Sequence, residues 1–280
     1  MTLSKRAPVA HALLFAVLIV LCAIIALPLL WMIATSLRDV RDSFSLPPRF
    51  IPLPPFAWEN YRVIFQLFPF ARFVMNSIVV TAVGVGIQVI VSSMAAYALT
   101  RIPFRGASVA FVLIIACLMI PGQITVIPLF IAMSRVGLVD TRLALILIGI
   151  PYPLGLFLLR QYFLTIPKSY DEAACIDGAS RIQICFRILF PQIRPAIAVV
   201  ALMHGLLLWN DFFRPLIFLY SAENMTLPLG LVLLQGQFGL AGGISPVLAG
   251  AALSIVLPVT AFLFGQRYIA EGAKLGGLKA

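Results

Sequence analysis

Long runs without charge organise this chain. They occupy about 12–37, 73–100, 106–134, 143–159, 195–210 and 246–266, the fourth extending past one isolated charge to 163 and the fifth past two to 220. Each supplies the roughly 17–25 residues that cross a bilayer. The runs are too long for barrel strands and do not alternate, and a bilayer offers backbone N–H and C=O groups no water partner. The pattern therefore predicts six transmembrane helices in an all-α integral membrane protein.

Other segments refine this. The stretch 225–234 (MTLPLGLVLL) is apolar but about half a span long, and with Pro228 and Gly230 it is expected to be a re-entrant or interfacial piece. The stretch 38–72 is rich in proline and aromatics, as in PPRFIPLPPF, which predicts an ordered, partly extended cap on the membrane surface. The first run follows Lys5 and Arg6 and exceeds the roughly 7–15 residues of a signal-peptide core, so it reads as an uncleaved span.

Composition agrees. Of 280 residues, 62% are hydrophobic and only 11% charged, and the mean hydropathy of +1.07 is beyond what a soluble domain hides in one core. The net charge of +10 has no basic run with interleaved aromatics, so it points to the lipid bilayer and not to nucleic acid. With the N-terminus inside, twelve Lys and Arg fall on cytoplasmic segments and seven outside, with Arg214 within the fifth span. That asymmetry predicts both termini in the cytoplasm. Cys22, Cys117, Cys175 and Cys185 lack metal-binding spacing and are expected to pack, as is the isolated His204.

A compact polar island, DEAACIDGAS (171–180), interrupts the apolar runs on the cytoplasmic side. Pro167 marks a break, and Ser169 with Glu172 three residues on forms a capping-box pattern that predicts a short helix. Gly178 supplies a left-handed exit, and Ser180 with Gln183 repeats the pattern for a second helix ending near Pro191. Spacing puts Tyr170, Ala173, Ala174 and Asp177 on one face, small enough to enter a partner's groove. Physics alone leaves two readings, a docking element or a capped connection.

The residues EAA at 172–174, Gly178 and Ile188, Leu189 and Pro191 resemble the EAA loop of permease subunits of bacterial ATP-binding-cassette (ABC) importers, differing only in a leucine one place early. The strings PPFAWENYRVIF (54–65), Arg72 with Asn76 and Ser77, Trp209-Asn210-Asp211 with PLIFL, and TLPLGL (226–231) look like the smaller permease of maltose-type carbohydrate systems, over about 45–280. The resemblance implies a type I ABC importer permease fold in the bacterial inner membrane. It implies segments 1–11 (cytoplasmic), 12–37 (first span), 38–72 (periplasmic), 73–268 (permease core, with the EAA loop at 165–194) and 269–280 (cytoplasmic tail). Implied partners are a second, larger permease, a homodimeric ATP-binding subunit and a periplasmic solute-binding protein, with sugar as cargo or, alternatively, glycerol-phosphate or another small polar solute. In that family the loop docks on the ATPase, so Glu172 becomes the ionic contact, Ala173 and Ala174 the close-packing face, and Gly178 the hinge, with Asp177 and Pro191 in the same motif.

No GxxxxGK[ST] phosphate cradle occurs, so the expectation is a non-catalytic subunit that binds no cofactor itself, ATP and Mg being used by the partner. Asp211 and Arg214, on one helical face within the fifth span, are either a local ion pair at the interface with the second permease or, with Trp209 and Asn210, part of the translocation path. Asn76, Gln88, Gln123 and His204 are further polar span residues, expected to make interhelical hydrogen bonds, with Asn76 also a path or interface candidate. Arg101 and Arg105 read as topology determinants. A secondary carrier would need acidic residues in broken helices and internal repeats; Asp211 is the one acidic residue in a span.

Overall fold

The computed structural model describes residues 7–43, 51, 54–240 and 243–277, and side chains for 12–43, 51, 54–238 and 243–268. Among the described residues the chain is helical, without strands. The helices are α1 (Ala7–Ser36), α2 (Glu59–Leu67), α3 (Phe70–Arg101), α4 (Ala107–Ala116), α5 (Gly122–Arg135), α6 (Arg142–Gly149) and α7 (Pro153–Thr165). They continue with α8 (Ser169–Ile176), α9 (Arg181–Gln183), α10 (Phe190–Gln192), α11 (Arg194–Trp209), α12 (Phe213–Phe218), α13 (Leu227–Leu240) and α14 (Ser245–Gly277).

Three helices are each long and apolar enough to cross a membrane, and the number reaches six if each of three bent pairs is one span. The third expected span is the least straight. Its halves, Ala107–Met119 and Gly122–Arg135, meet at 104°. Pro121 has no N–H to continue the helix and disfavours the helical region for the residue before it, and Ile120 is accordingly extended. The fourth bends by 44° between Arg142–Gly149 and Pro153–Thr165. The fifth is not continuous to 220: α11 stops at Trp209 and α12 begins at Phe213.

Two compact units divide the chain. One comprises Met1–Pro69 and Leu231–Ile255. Here α1 is apolar all round, and no residue of its most hydrophobic stretch is buried among the described residues, as expected of a helix whose solvent is lipid. The segment expected as an extended cap contains a helix, α2, whose Asn60 donates to the carbonyls of Ser36 (2.8 Å) and Arg38 (2.7 Å). Residues 44–50 and 52–53, most of the proline-rich string, lie outside the described residues.

The other unit comprises Phe70–Gly230 and Val256–Ala280. Its axis is α3, which packs along α6, α7 and α11. One core cluster, with Val80, Leu145, Phe218 and Leu229, fills the unit toward the Phe70 end of α3. A second, toward the Arg101 end, gathers Ala96, Tyr97, Phe163, Ala174, Ile184, Leu189 and Val200 and so takes in Ala174 of the polar island. Within the 225–234 stretch α13 begins with Leu227, whose N–H donates to Ser77 Oγ of α3 at 2.8 Å.

Candidate functional site

The loop 165–194 folds as helix, turn and helix. The chain enters α8 from Pro167 through Lys168, already helical, with Glu172 N–H on the Lys168 carbonyl at 3.1 Å. Ser169 is therefore inside the first turn and not its cap, which corrects the sequence expectation: Pro167 fixes its own φ and starts the turn early. At the other end Gly178 has φ +79°, its N–H bonds the Cys175 carbonyl and Ala179 N–H bonds the Ala174 carbonyl. This is a Schellman closure, which needs a left-handed residue at the glycine. Ser180 and Gln183 then make a complete capping box. A π-helical segment, Ile184–Leu189, follows and runs directly into α10, which contains Pro191.

Side-chain directions divide α8. Asp171 and Ala174, three apart, turn inward, while Tyr170, Glu172, Ala173, Ile176 and Asp177 are exposed. Ala173 and Ala174 do not share a face as expected, since consecutive helical residues diverge by about 100°. Ala174 belongs to the chain's own core beside Ile184 and Leu189. The free surface is thus an amphipathic patch around Glu172, with Ile176 87% exposed.

Beneath it lies a cluster that sequence reasoning missed. Arg101, the last residue of α3, donates from one guanidinium nitrogen to the Phe163 carbonyl (2.9 Å) and the Ile166 carbonyl (2.8 Å) at the end of α7. Its other terminal nitrogen is 3.5 Å from Asp171 Oδ2, with side chains only 5% and 10% exposed. Cations suit helix C-terminal carbonyls. Arg101, Lys168, Asp171, Glu172, Cys175 and Arg181 also line a cavity of about 650 Å³. As a span-end charge Arg101 looked like a topology determinant; its partners are 62 to 70 residues away and left no local signal.

The remaining candidates are placed elsewhere in this unit. Trp209 is buried, and Asn210 caps α11 with its side chain on the Leu206 carbonyl at 2.8 Å. Asp211 lies in the break before α12 and not within a continuous span; it pairs with Arg214 and accepts the Arg214 N–H at 3.3 Å. Asn76 is buried, donates to the Glu223 (2.8 Å) and Met225 (2.9 Å) carbonyls and accepts from Arg142 at 3.2 Å. Its amide N–H groups hold the 223–225 turn and its oxygen takes the Arg142 guanidinium, so both ends of the side chain are bonded. Gln88 bonds Ser92, and His204 stacks on Tyr152 with centroids 4.5 Å apart.

Asp140 ties the α5–α6 connection to the segment after α12. It is a non-glycine residue at φ 60°, and its carboxylate accepts the N–H groups of Tyr220 and Ser221, each at 3.0 Å, and the Ser221 hydroxyl. Burial pushes this carboxyl up, but the bonds from Ser221, Tyr220 and Asn224 outweigh it and hold the group below its usual range. Among the described residues no three His, Cys, Asp or Glu gather as a metal site.

Residues 88–272, more than half of the chain, match the family described as binding-protein-dependent transport system inner membrane component. The chain belongs to this family. The permease is 40% identical over 204 residues (73% of this chain, 72% of the relative) to the arabinooligosaccharides transport system permease protein AraQ of Halalkalibacterium halodurans. It is 35% identical over 269 residues (93% of this chain, 94% of the relative) to the trehalose/maltose transport system permease protein MalG of Thermococcus litoralis. It is also 34% identical over 257 residues, 90% of each chain, to the inner membrane ABC transporter permease protein YcjP of Escherichia coli. Its fold is similar to a chain in the crystal structure of a bacterial ABC transporter involved in alginate import, with a TM-score of 0.77 at 24% identity, covering 96% of this chain and 99% of that one. The chain is thus a multi-pass membrane permease subunit of an ABC importer, with the expected permease fold.

Proposed function

We propose that this permease carries a sugar or oligosaccharide across the bacterial inner membrane, forming the path with a second, larger permease. A periplasmic solute-binding protein delivers the cargo, and a homodimeric ATP-binding subunit closes on ATP beneath the loop 165–194. Both termini and that loop face the cytoplasm in this reading, supported by the excess of Lys and Arg on those segments. The subunit catalyses nothing and binds no cofactor of its own.

The observation that carries the reading is Glu172, an exposed carboxylate on a short helix fixed at its exit by the Gly178 closure and the Ser180 box. A charge on a rigid element meets a partner at little ordering cost, and the element moves as one body when the partner moves. Glu172 and the exposed Ala173 and Asp177 form the contact surface; Ala174, Gly178 and Pro191 hold its shape. The similarity to AraQ and to the trehalose/maltose permease favours oligosaccharide cargo.

Uptake by the reconstituted transporter tests the cargo. Labelled arabino-oligosaccharides, maltose and trehalose are offered through the cognate binding protein. ATP-dependent accumulation of one of these is expected. Uptake of glycerol-phosphate with none of the sugars would contradict the assignment.

A further inference from the structure

The Arg101–Asp171 cluster does more than the motif accounts for. A single guanidinium joins three elements: the end of α3, which carries it, the Phe163 and Ile166 carbonyls closing α7, and the Asp171 carboxylate on the inward face of α8. Both side chains are at least nine-tenths buried. Among the described residues neither Asp171 oxygen has a hydrogen-bond donor, and Arg101 is the cation within ion-pair distance. Moving this carboxylate away from its guanidinium would take the ion-pair partner at 3.5 Å from a side chain that is nine-tenths buried, which is costly. Around the pair, Ala174 of α8 packs with Tyr97 of α3 and Phe163 of α7.

We propose that Arg101 is a positioning residue that makes α8, the end of α3 and the end of α7 one rigid body, so that displacement of α8 passes directly into two spans. The proposal rests on the reading of the Glu172 surface as the ATPase contact and adds the route from that contact to the membrane. Arginine suits the place because its planar fork addresses two carbonyls and a carboxylate together. Lysine keeps the charge but not the fork.

The test uses the complete transporter in proteoliposomes, with labelled arabino-oligosaccharide or maltose as probe, and reads sugar moved per ATP hydrolysed together with retention of the ATPase subunits. Asp171→Asn is expected to keep the ATPase bound and lower the ratio at least tenfold, with Arg101→Lys intermediate. A brace that served stability alone would lower the yield of complex and leave the ratio at the wild-type value, and that result overturns the proposal. Should either variant fail to assemble, the neutral double variant Arg101→Met with Asp171→Leu, which buries no charge, is read in the same way: a lowered ratio supports the joint and a wild-type ratio refutes it. Failure of the docking reading is separate, since it shows as full ATPase retention by Glu172→Ala.

Discussion

Ser180 and Gln183 bond each other reciprocally: the Ser180 N–H donates to Gln183 Oε1 at 2.7 Å, and the Gln183 N–H donates to Ser180 Oγ at 3.3 Å. The box caps a helix that restarts at Arg181, three residues after the left-handed glycine. Removing an N-cap side chain costs about 1 kcal/mol. Ser180→Ala is therefore expected to speed amide exchange at residues 182–184 by roughly fivefold, the factor that energy corresponds to if exchange follows local opening. Unchanged exchange would mean that the box contributes nothing.

At Gly178 the constraint is the backbone alone. An added Cβ would meet nothing within 4 Å, but φ is +79°. A left-handed L-residue costs roughly 1–2 kcal/mol, least for asparagine. ATP-driven uptake should fall in the order Gly178→Asn, Gly178→Ala, Gly178→Val, the last being most impaired. Equal activity for all three would show that the left-handed turn is dispensable.

Asp140 gives a pH signature. Its carboxyl is held below the ordinary aspartate value of 3.8, so its contribution is complete above that value and is lost as pH falls through the lower folded-state value. The Tyr220 and Ser221 amides are expected to stay protected at pH 5 and to lose protection only below about 3.8. Asp140→Asn keeps the tolerance for φ 60° but loses the charge. Protection of those amides should then be weaker at neutral pH and independent of acidification. A wild-type transition above pH 5 would contradict the assigned bonds.

Packing in the α3 unit is expected to be unforgiving at Gly155 and tolerant at Gly86. A Cβ at Gly155 would lie 2.6 Å from Tyr152, 2.7 Å from Gln88 and 2.9 Å from Val200, whereas one at Gly86 meets nothing within 4 Å. Gly155→Ala should cost about 1–3 kcal/mol, and Gly86→Ala should be neutral or slightly stabilising. Thermal unfolding of the purified complex compares them, and equal midpoints would refute the contrast.

Much of this was legible in the chain because hydrocarbon imposes simple rules. Apolar runs marked the first, second, third and sixth candidate spans without interruption, and Gly178 and Ser180 announced their turn because few residue types satisfy such backbone positions. Other features depended on what each face meets. Ala174 turns into the core while its neighbour Ala173 does not, and the 104° bend at Pro121 was hidden in a run that reads as one span. Arg101 carried a plausible topological explanation that concealed its buried partner.

The central claim is that the exposed surface around Glu172 is where the ATPase docks. Its most direct test is the amount of ATP-binding subunit that co-purifies with affinity-tagged permease carrying Glu172→Ala, normalised to the permease itself. A drop of at least tenfold is expected, with the permease still inserted and paired with its second subunit. Wild-type amounts of bound ATPase, together with normal ATP-driven uptake, would contradict the claim.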